Sequence, residues 1–169
     1  MQMSFCDIIV ASLYRGMYMK ETVYFGTYTR RVSQGIYKAD FDTKTGRLSN
    51  LELFAEEPSP TYLAFDQKDH LYTVGSKDGQ GGIAAYQTDG SLLNHVVEEG
   101  APHCYVAVDE KRNLVYGANY HKGQVLVYKR KEDGKVDAIA GSTLTGNGVQ
   151  NMIRDGLEPY ISYIKSLNK

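Results

Sequence analysis

A chain of 169 residues with 42% hydrophobic and 23% charged residues can bury a core of its own, so no disulfide or metal staple is required. Its 19 Lys+Arg against 20 Asp+Glu leave a formal net charge of -1, which removes the basic footprint of a general nucleic-acid binder. No apolar run approaches the roughly 18 residues of a membrane-spanning helix, and 14 tyrosines and 17 glycines beside 4 prolines favour strands and tight turns.

At the N-terminus, Cys6–Tyr14 is apolar but broken by Asp7 and has no basic segment before it, so a signal peptide is not expected. Met17 and Met19 stand just ahead of the first clear strand, Thr22–Tyr28. Translation from Met1, Met17 or Met19 stays open, and residues 1–20 read as an N-terminal extension with no packed role. Cys6 and Cys104 form no CxxC pattern and read as free thiols of a reducing cytosol, so a cytoplasmic location is expected.

From Thr22 onward the chain repeats itself. Thr22-Val23-Tyr24-Phe25-Gly26, Leu71-Tyr72-Thr73-Val74-Gly75 and Val115-Tyr116-Gly117-Ala118-Asn119 share one pattern, with tyrosines spaced 48 and 44 apart. A second strand follows each, carrying Ile36-Tyr37, Ile83-Ala84-Ala85-Tyr86 and Val125-Leu126-Val127-Tyr128, and each closes at a turn glycine, Gly46, Gly90 or Gly134, at intervals of 44 and 44. A preceding strand recurs as Tyr62–Asp66 and Tyr105–Asp109. Period-two alternation between turn signals is strand chemistry, and a unit of this length with four short antiparallel strands has the size of a propeller blade.

Other chemistry is sparse. His70 and His95 stand alone in the sequence, and no His/Cys/Asp/Glu group has metal-ligand spacing. Gly79-Gln80-Gly81-Gly82 lacks the lysine of a phosphate loop and reads as a β-turn. Glu56-Glu57 and Glu98-Glu99 are adjacent, so on a strand they point to opposite faces and do not form a cooperating acid–base pair. Arg112 lies in a Lys-Arg-Asn turn and reads as solvated.

Gly26-Thr27-Tyr28-Thr29, Ser33-Gln34-Gly35-Ile36-Tyr37, Thr45-Gly46-Arg47-Leu48, Pro60-Thr61-Tyr62-Leu63-Ala64 and Val115–Tyr120 with Gly123 resemble, in that order and spacing, the opening of the seven-bladed propeller lactonases, which include 6-phosphogluconolactonases. The resemblance covers about 21–135. It implies an incomplete, mainly β propeller of two to three antiparallel four-stranded blades, and hydrolysis of a sugar lactone in a central channel with no required cofactor. The family's catalytic His, Arg and Glu belong to later blades, in motifs resembling PHxH and NEL that this sequence lacks, so the catalytic residues are unknown and the chain alone is expected to be weak or inactive. Pro102-His103 is a half-match only. Candidates to line the channel are Tyr28, His103, Asn119, Tyr120 and His121.

After Gly134 the texture changes. Val149, Met152, Ile153, Leu157, Tyr160, Ile161, Ile164 and Leu167 recur every three or four residues, which predicts a C-terminal α-helical tail capped by Asn147 and interrupted at Gly156 and Pro159. Ahead of it, Asp137, Gly141, Ser142 and Thr143 resemble the FMN-attachment segment of the sodium-translocating NADH:quinone reductase C subunit, with Ala140 in place of a hydroxyl residue. That resemblance covers 136–169 and implies FMN joined to Thr143 by a phosphoester. Three functions follow as expectations: a truncated sugar-lactone hydrolase, a covalent FMN carrier, and a non-catalytic β-sheet module that self-associates through an open sheet edge.

Overall fold

The computed structural model describes residues 8–12 and 20–139. They form twelve strands: β1 (Ile8–Ser12), β2 (Lys20–Thr27), β3 (Gly35–Asp42), β4 (Arg47–Glu56), β5 (Leu63–Phe65), β6 (Leu71–Lys77), β7 (Gln80–Tyr86), β8 (Leu92–Glu98), β9 (Tyr105–Asp109), β10 (Leu114–Asn119), β11 (Gln124–Arg130) and β12 (Val136–Ala138). These make three four-stranded antiparallel meanders, β1–β4, β5–β8 and β9–β12. The expected mainly β architecture of an incomplete propeller is what forms.

Two boundaries differ from the sequence reading. The N-terminal stretch is not without a packed role: Ile8–Ser12 pairs with Val23–Thr27 and completes the first sheet. The third unit does not stop at Gly134 either, because Val136–Ala138 pairs with Tyr128–Arg130 as its fourth strand. Both strands are short (5 and 3 residues), which hides their alternation from a periodicity search. The helix expected over 147–169 lies outside the described residues.

The glycine period has a backbone cause. Gly46, Gly90 and Gly134 take φ of 67°, 87° and 85°, in the left-handed region where a Cβ is penalised. One such turn per sheet is needed to bring the last strand back.

The sheets stack face to face through period-two alternation. Leu71, Ala84 and Tyr86 of the second sheet pack against Tyr24, Ile36 and Phe54 of the first, while Tyr72, Ile83 and Ala85 point the other way onto Val106, Val115, Tyr128 and Val136 of the third. The middle sheet is therefore buried on both faces, with Leu71, Tyr72, Val74, Ile83, Ala84 and Ala85 at 0% exposure. Tyr24 adds an edge-on contact with Phe54, ring centroids 5.1 Å apart. At the inner edge β5 lies in contact with both β1 and β9, so the first strand of each sheet gathers at a common centre.

Candidate functional site

Meander topology sets alternate loops at one end of each sheet. The ends of β2, β6 and β10 and the starts of β5 and β9 share that end. The rim is tied together across sheets: the Thr29 and Ser59 side chains are 3.3 Å apart, Ser59 N–H donates to Thr29 Oγ1 (3.1 Å), and Tyr62 stacks on Tyr105 with centroids 4.5 Å apart. Burial, with Tyr105 close by, holds the Tyr62 hydroxyl above its ordinary pKa.

All five predicted channel residues fall at this end, but they divide in two. Tyr28 (42% exposed) lies open with the Arg30 guanidinium 5.1 Å from its ring centroid. Tyr120 (73% exposed) stacks on His121 at 3.9 Å. Asn119 and His103 are instead buried structural ties. Asn119 Nδ2 donates to Ala101 O (2.8 Å) and its Oδ1 accepts from Lys122 N–H (3.2 Å). His103 sits against Gly117, with Nε2 2.5 Å from the Tyr128 hydroxyl. Burial lowers its pKa to about 4, with the Glu98 carboxylate opposing that shift. It is neutral at pH 7, and its Nε2 is already engaged, so it is not poised as a base toward the rim.

Two buried ionic clusters, one near the rim and one at the far end of the sheets, give partners to His95 and His70. Glu57 (2% exposed) accepts from the Tyr86 hydroxyl (2.5 Å) and from Ser76 N–H (2.9 Å), and its Oε2 lies 2.7 Å from His95 Nε2. Burial and that carboxylate together push the Tyr86 hydroxyl far above its ordinary pKa. At the far end of the sheets Asp66 receives Arg130 Nη1 (2.6 Å) and faces His70 Nδ1 (2.9 Å), while Arg130 Nη2 reaches Glu110 (2.6 Å). Burial alone would raise the Asp66 pKa; the hydrogen bonds from His70 and Arg130 outweigh it and hold the carboxyl below the usual range. Arg112 is exposed, as expected, on an ion pair with Asp109.

The sequence signal for Tyr62 and Tyr105 was present, since they open the recurring segments Tyr62–Asp66 and Tyr105–Asp109. Arg30 and Glu57 carry no comparable signal, whereas Asp66 recurs as Asp109 at the close of the same segments. A cleft of ≈ 610 Å³ opens away from the rim, between Lys38, Asp40, Asn50 and Glu52, whose polar ends are already joined as Lys38–Glu52 (2.9 Å) and Asn50–Asp40 (2.7 Å). Among the described residues no cluster of three His, Cys, Asp or Glu has the geometry to hold a metal ion, and no helix is long and apolar enough to cross a membrane. The rim presents the open ring faces of Tyr28, Tyr105 and Tyr120 and the guanidinium of Arg30.

The family model described as "Lactonase, 7-bladed beta-propeller" matches residues 22–156. The chain is 42% identical to the 6-phosphogluconolactonase of Bacillus subtilis over 132 residues, 74% of this chain and 38% of that protein. An uncharacterized protein of Lactococcus lactis is 48% identical over 77% of this chain and 39% of its own length. A crystal structure of a protein from Lactobacillus plantarum superposes with a TM-score of 0.71 at 49% identity, covering 75% of this chain and 38% of that one. The chain thus spans less than two fifths of these relatives.

The lactonase match runs through Asp137, Gly141, Ser142 and Thr143, the segment that resembles an FMN-attachment site. Asp137 itself is an ordinary strand residue of β12, paired with Lys129 and ion-paired to Lys131 at 2.7 Å; Gly141, Ser142 and Thr143 lie outside the described residues. Neither the fold nor the family match supports the flavin reading. The chain belongs to the seven-bladed β-propeller lactonase family, of which it displays three successive four-stranded sheets.

Proposed function

We propose that this chain carries part of the channel mouth of a sugar-lactone hydrolase of the 6-phosphogluconolactonase type, and that on its own it binds such a ring but turns it over slowly or not at all. The observation that carries the reading is the 42% identity to the Bacillus subtilis 6-phosphogluconolactonase over 132 residues. The rim is consistent with it. Tyr28, Tyr105 and Tyr120 offer ring faces, and Arg30 offers a fork for a phosphate oxygen. Lactone hydrolysis also needs a base to activate water and donors for the developing oxyanion. Among the described residues His103 is neutral and engaged with Tyr128, and Glu57 is enclosed by its own partners, so neither of these two buried groups is poised as a base toward the rim.

The test is two measurements on the purified chain. Titration with 6-phosphogluconate, a stable open-ring product, is expected to shift the ring resonances of Tyr28, Tyr120 and His121, and Arg30→Ala is expected to weaken binding about tenfold. Hydrolysis of 6-phosphogluconolactone, followed by acid release, is expected to match the spontaneous rate. Absence of any shift at millimolar ligand rejects the channel-mouth reading. Fast hydrolysis rejects the inactivity.

A further inference from the structure

The first sheet carries a cleft that the lactone reading does not use. Register sets its floor in two rows. Tyr24, Lys38 and Glu52 lie side by side across β2, β3 and β4, with Thr22 and Asp40 in the next row. Between these rows β3 advances two residues, Lys38 to Asp40, while β4 advances three, Ser49 to Glu52. The extra residue makes a β-bulge, and Asn50 within it takes φ of 55°, in the left-handed region where a Cβ is penalised. Bulges re-aim side chains, and residues held in such conformations gather at ligand sites. Here the bulge brings Asn50 Nδ2 to Asp40 Oδ2 (2.7 Å).

The cleft holds ≈ 610 Å³, the size of a small-molecule site. Its lining selects a class of ligand. One carboxylate oxygen of each pair is occupied, Glu52 Oε1 by Lys38 (2.9 Å) and Asp40 Oδ2 by Asn50. Asp40 Oδ1, Glu52 Oε2 and the Thr22 and Tyr24 hydroxyls make no hydrogen bond among the described residues. Burial holds the Tyr24 hydroxyl above its ordinary pKa, with Lys38 opposing that shift, so it stays a donor at neutral pH. Leu51, 59% exposed, adds an apolar wall. Lys38 against Asp40 and Glu52 leaves the lining negative, which disfavours anions, and the polar floor disfavours an apolar molecule. Donors and acceptors beside one apolar wall match the hydroxyls and the C–H face of a sugar.

We propose that this cleft binds a neutral saccharide, its hydroxyls bonded by Tyr24, Asp40, Asn50 and Glu52 and its C–H face laid on Leu51. The inference does not rest on the lactone reading, because the phosphorylated ring proposed for the rim is an anion that this lining repels.

Nuclear magnetic resonance titration of the full chain with maltose and with cellobiose tests it. At tens of millimolar, at least one of the sugars is expected to shift the amides of Lys38, Asp40, Asn50 and Glu52 and to leave Tyr28 and His121 unmoved. Tyr24→Phe keeps the ring on Phe54 and Phe65 and removes only the hydroxyl, so binding is expected to weaken about fivefold. Asn50→Gly removes the amide and relieves the positive φ. It is expected to weaken binding by a similar factor while the thermal midpoint holds or rises. Unchanged affinity in both variants overturns the proposal. So do an absence of shifts with both sugars, shifts confined to the rim, or a response of these four amides to calcium or 6-phosphogluconate and not to sugar, as an ion site would give. Failure here leaves the response of the rim to 6-phosphogluconate as a separate result.

Discussion

His103 shows how much one buried side chain contributes. Its pKa falls from 6.5 unfolded to about 4 folded, chiefly through burial, so below the unfolded value the denatured chain binds the extra proton and stability is lost as pH drops from about 6.5 toward 4. Taking pH 7 to pH 4.5, the expected loss from this residue is roughly 2–3 kcal/mol. Urea melts of the wild type and His103→Gln at the two pH values check it, the variant having the flatter profile. The neighbouring glycine is constrained by the same ring. A Cβ on Gly117 would lie 2.2 Å from His103 Cδ2, so Gly117→Ala is expected to destabilise by about 1–3 kcal/mol through overpacking, read as a lower urea midpoint with unchanged slope.

At the scale of elements, polar side chains fasten each sheet to the next. Glu57 leaves the end of β4 and is gripped by Tyr86 of β7, His95 of β8 and the backbone of β6. Glu57→Ala strands these partners and is expected to cost about 2–4 kcal/mol; Glu57→Gln, which keeps an acceptor for Tyr86, is expected to cost less. Thermal denaturation of the two variants distinguishes a specific tie from mere volume. Arg130 of β11 does the equivalent work between the second and third sheets by spanning Asp66 and Glu110. Arg130→Lys is expected to lose at least 2 kcal/mol, because one ammonium cannot reproduce the planar fork that reaches both carboxylates.

Across the whole molecule, burial is greatest in the middle. The second sheet is covered on both faces, while the first and third each supply one face to the described core. Amides of β6 and β7 are therefore expected to exchange slowest with deuterium and those of β1 and β12 fastest. Uniform protection across the three sheets would contradict this.

How much was legible follows from the range of the interactions. Strand alternation, turn glycines with positive φ and the recurring tyrosines are local, repeat about every 44 residues and point to two to three four-stranded units, while the short strands Ile8–Ser12 and Val136–Ala138 escape them. The rim was legible in part: Tyr28, Tyr120 and His121 are exposed there, whereas His103 and Asn119 are buried ties. The ionic clusters were not legible. Glu57 and His95 are 38 residues apart and Asp66 and Arg130 are 64 apart, and each side chain alone looks like a solvated charge. Sequence by itself determined the meanders and their order, because φ preference and period-two burial are properties of neighbouring residues. Only tertiary structure decided which face meets which sheet and which charges are taken out of water, because desolvation depends on what the rest of the chain brings within a few ångströms.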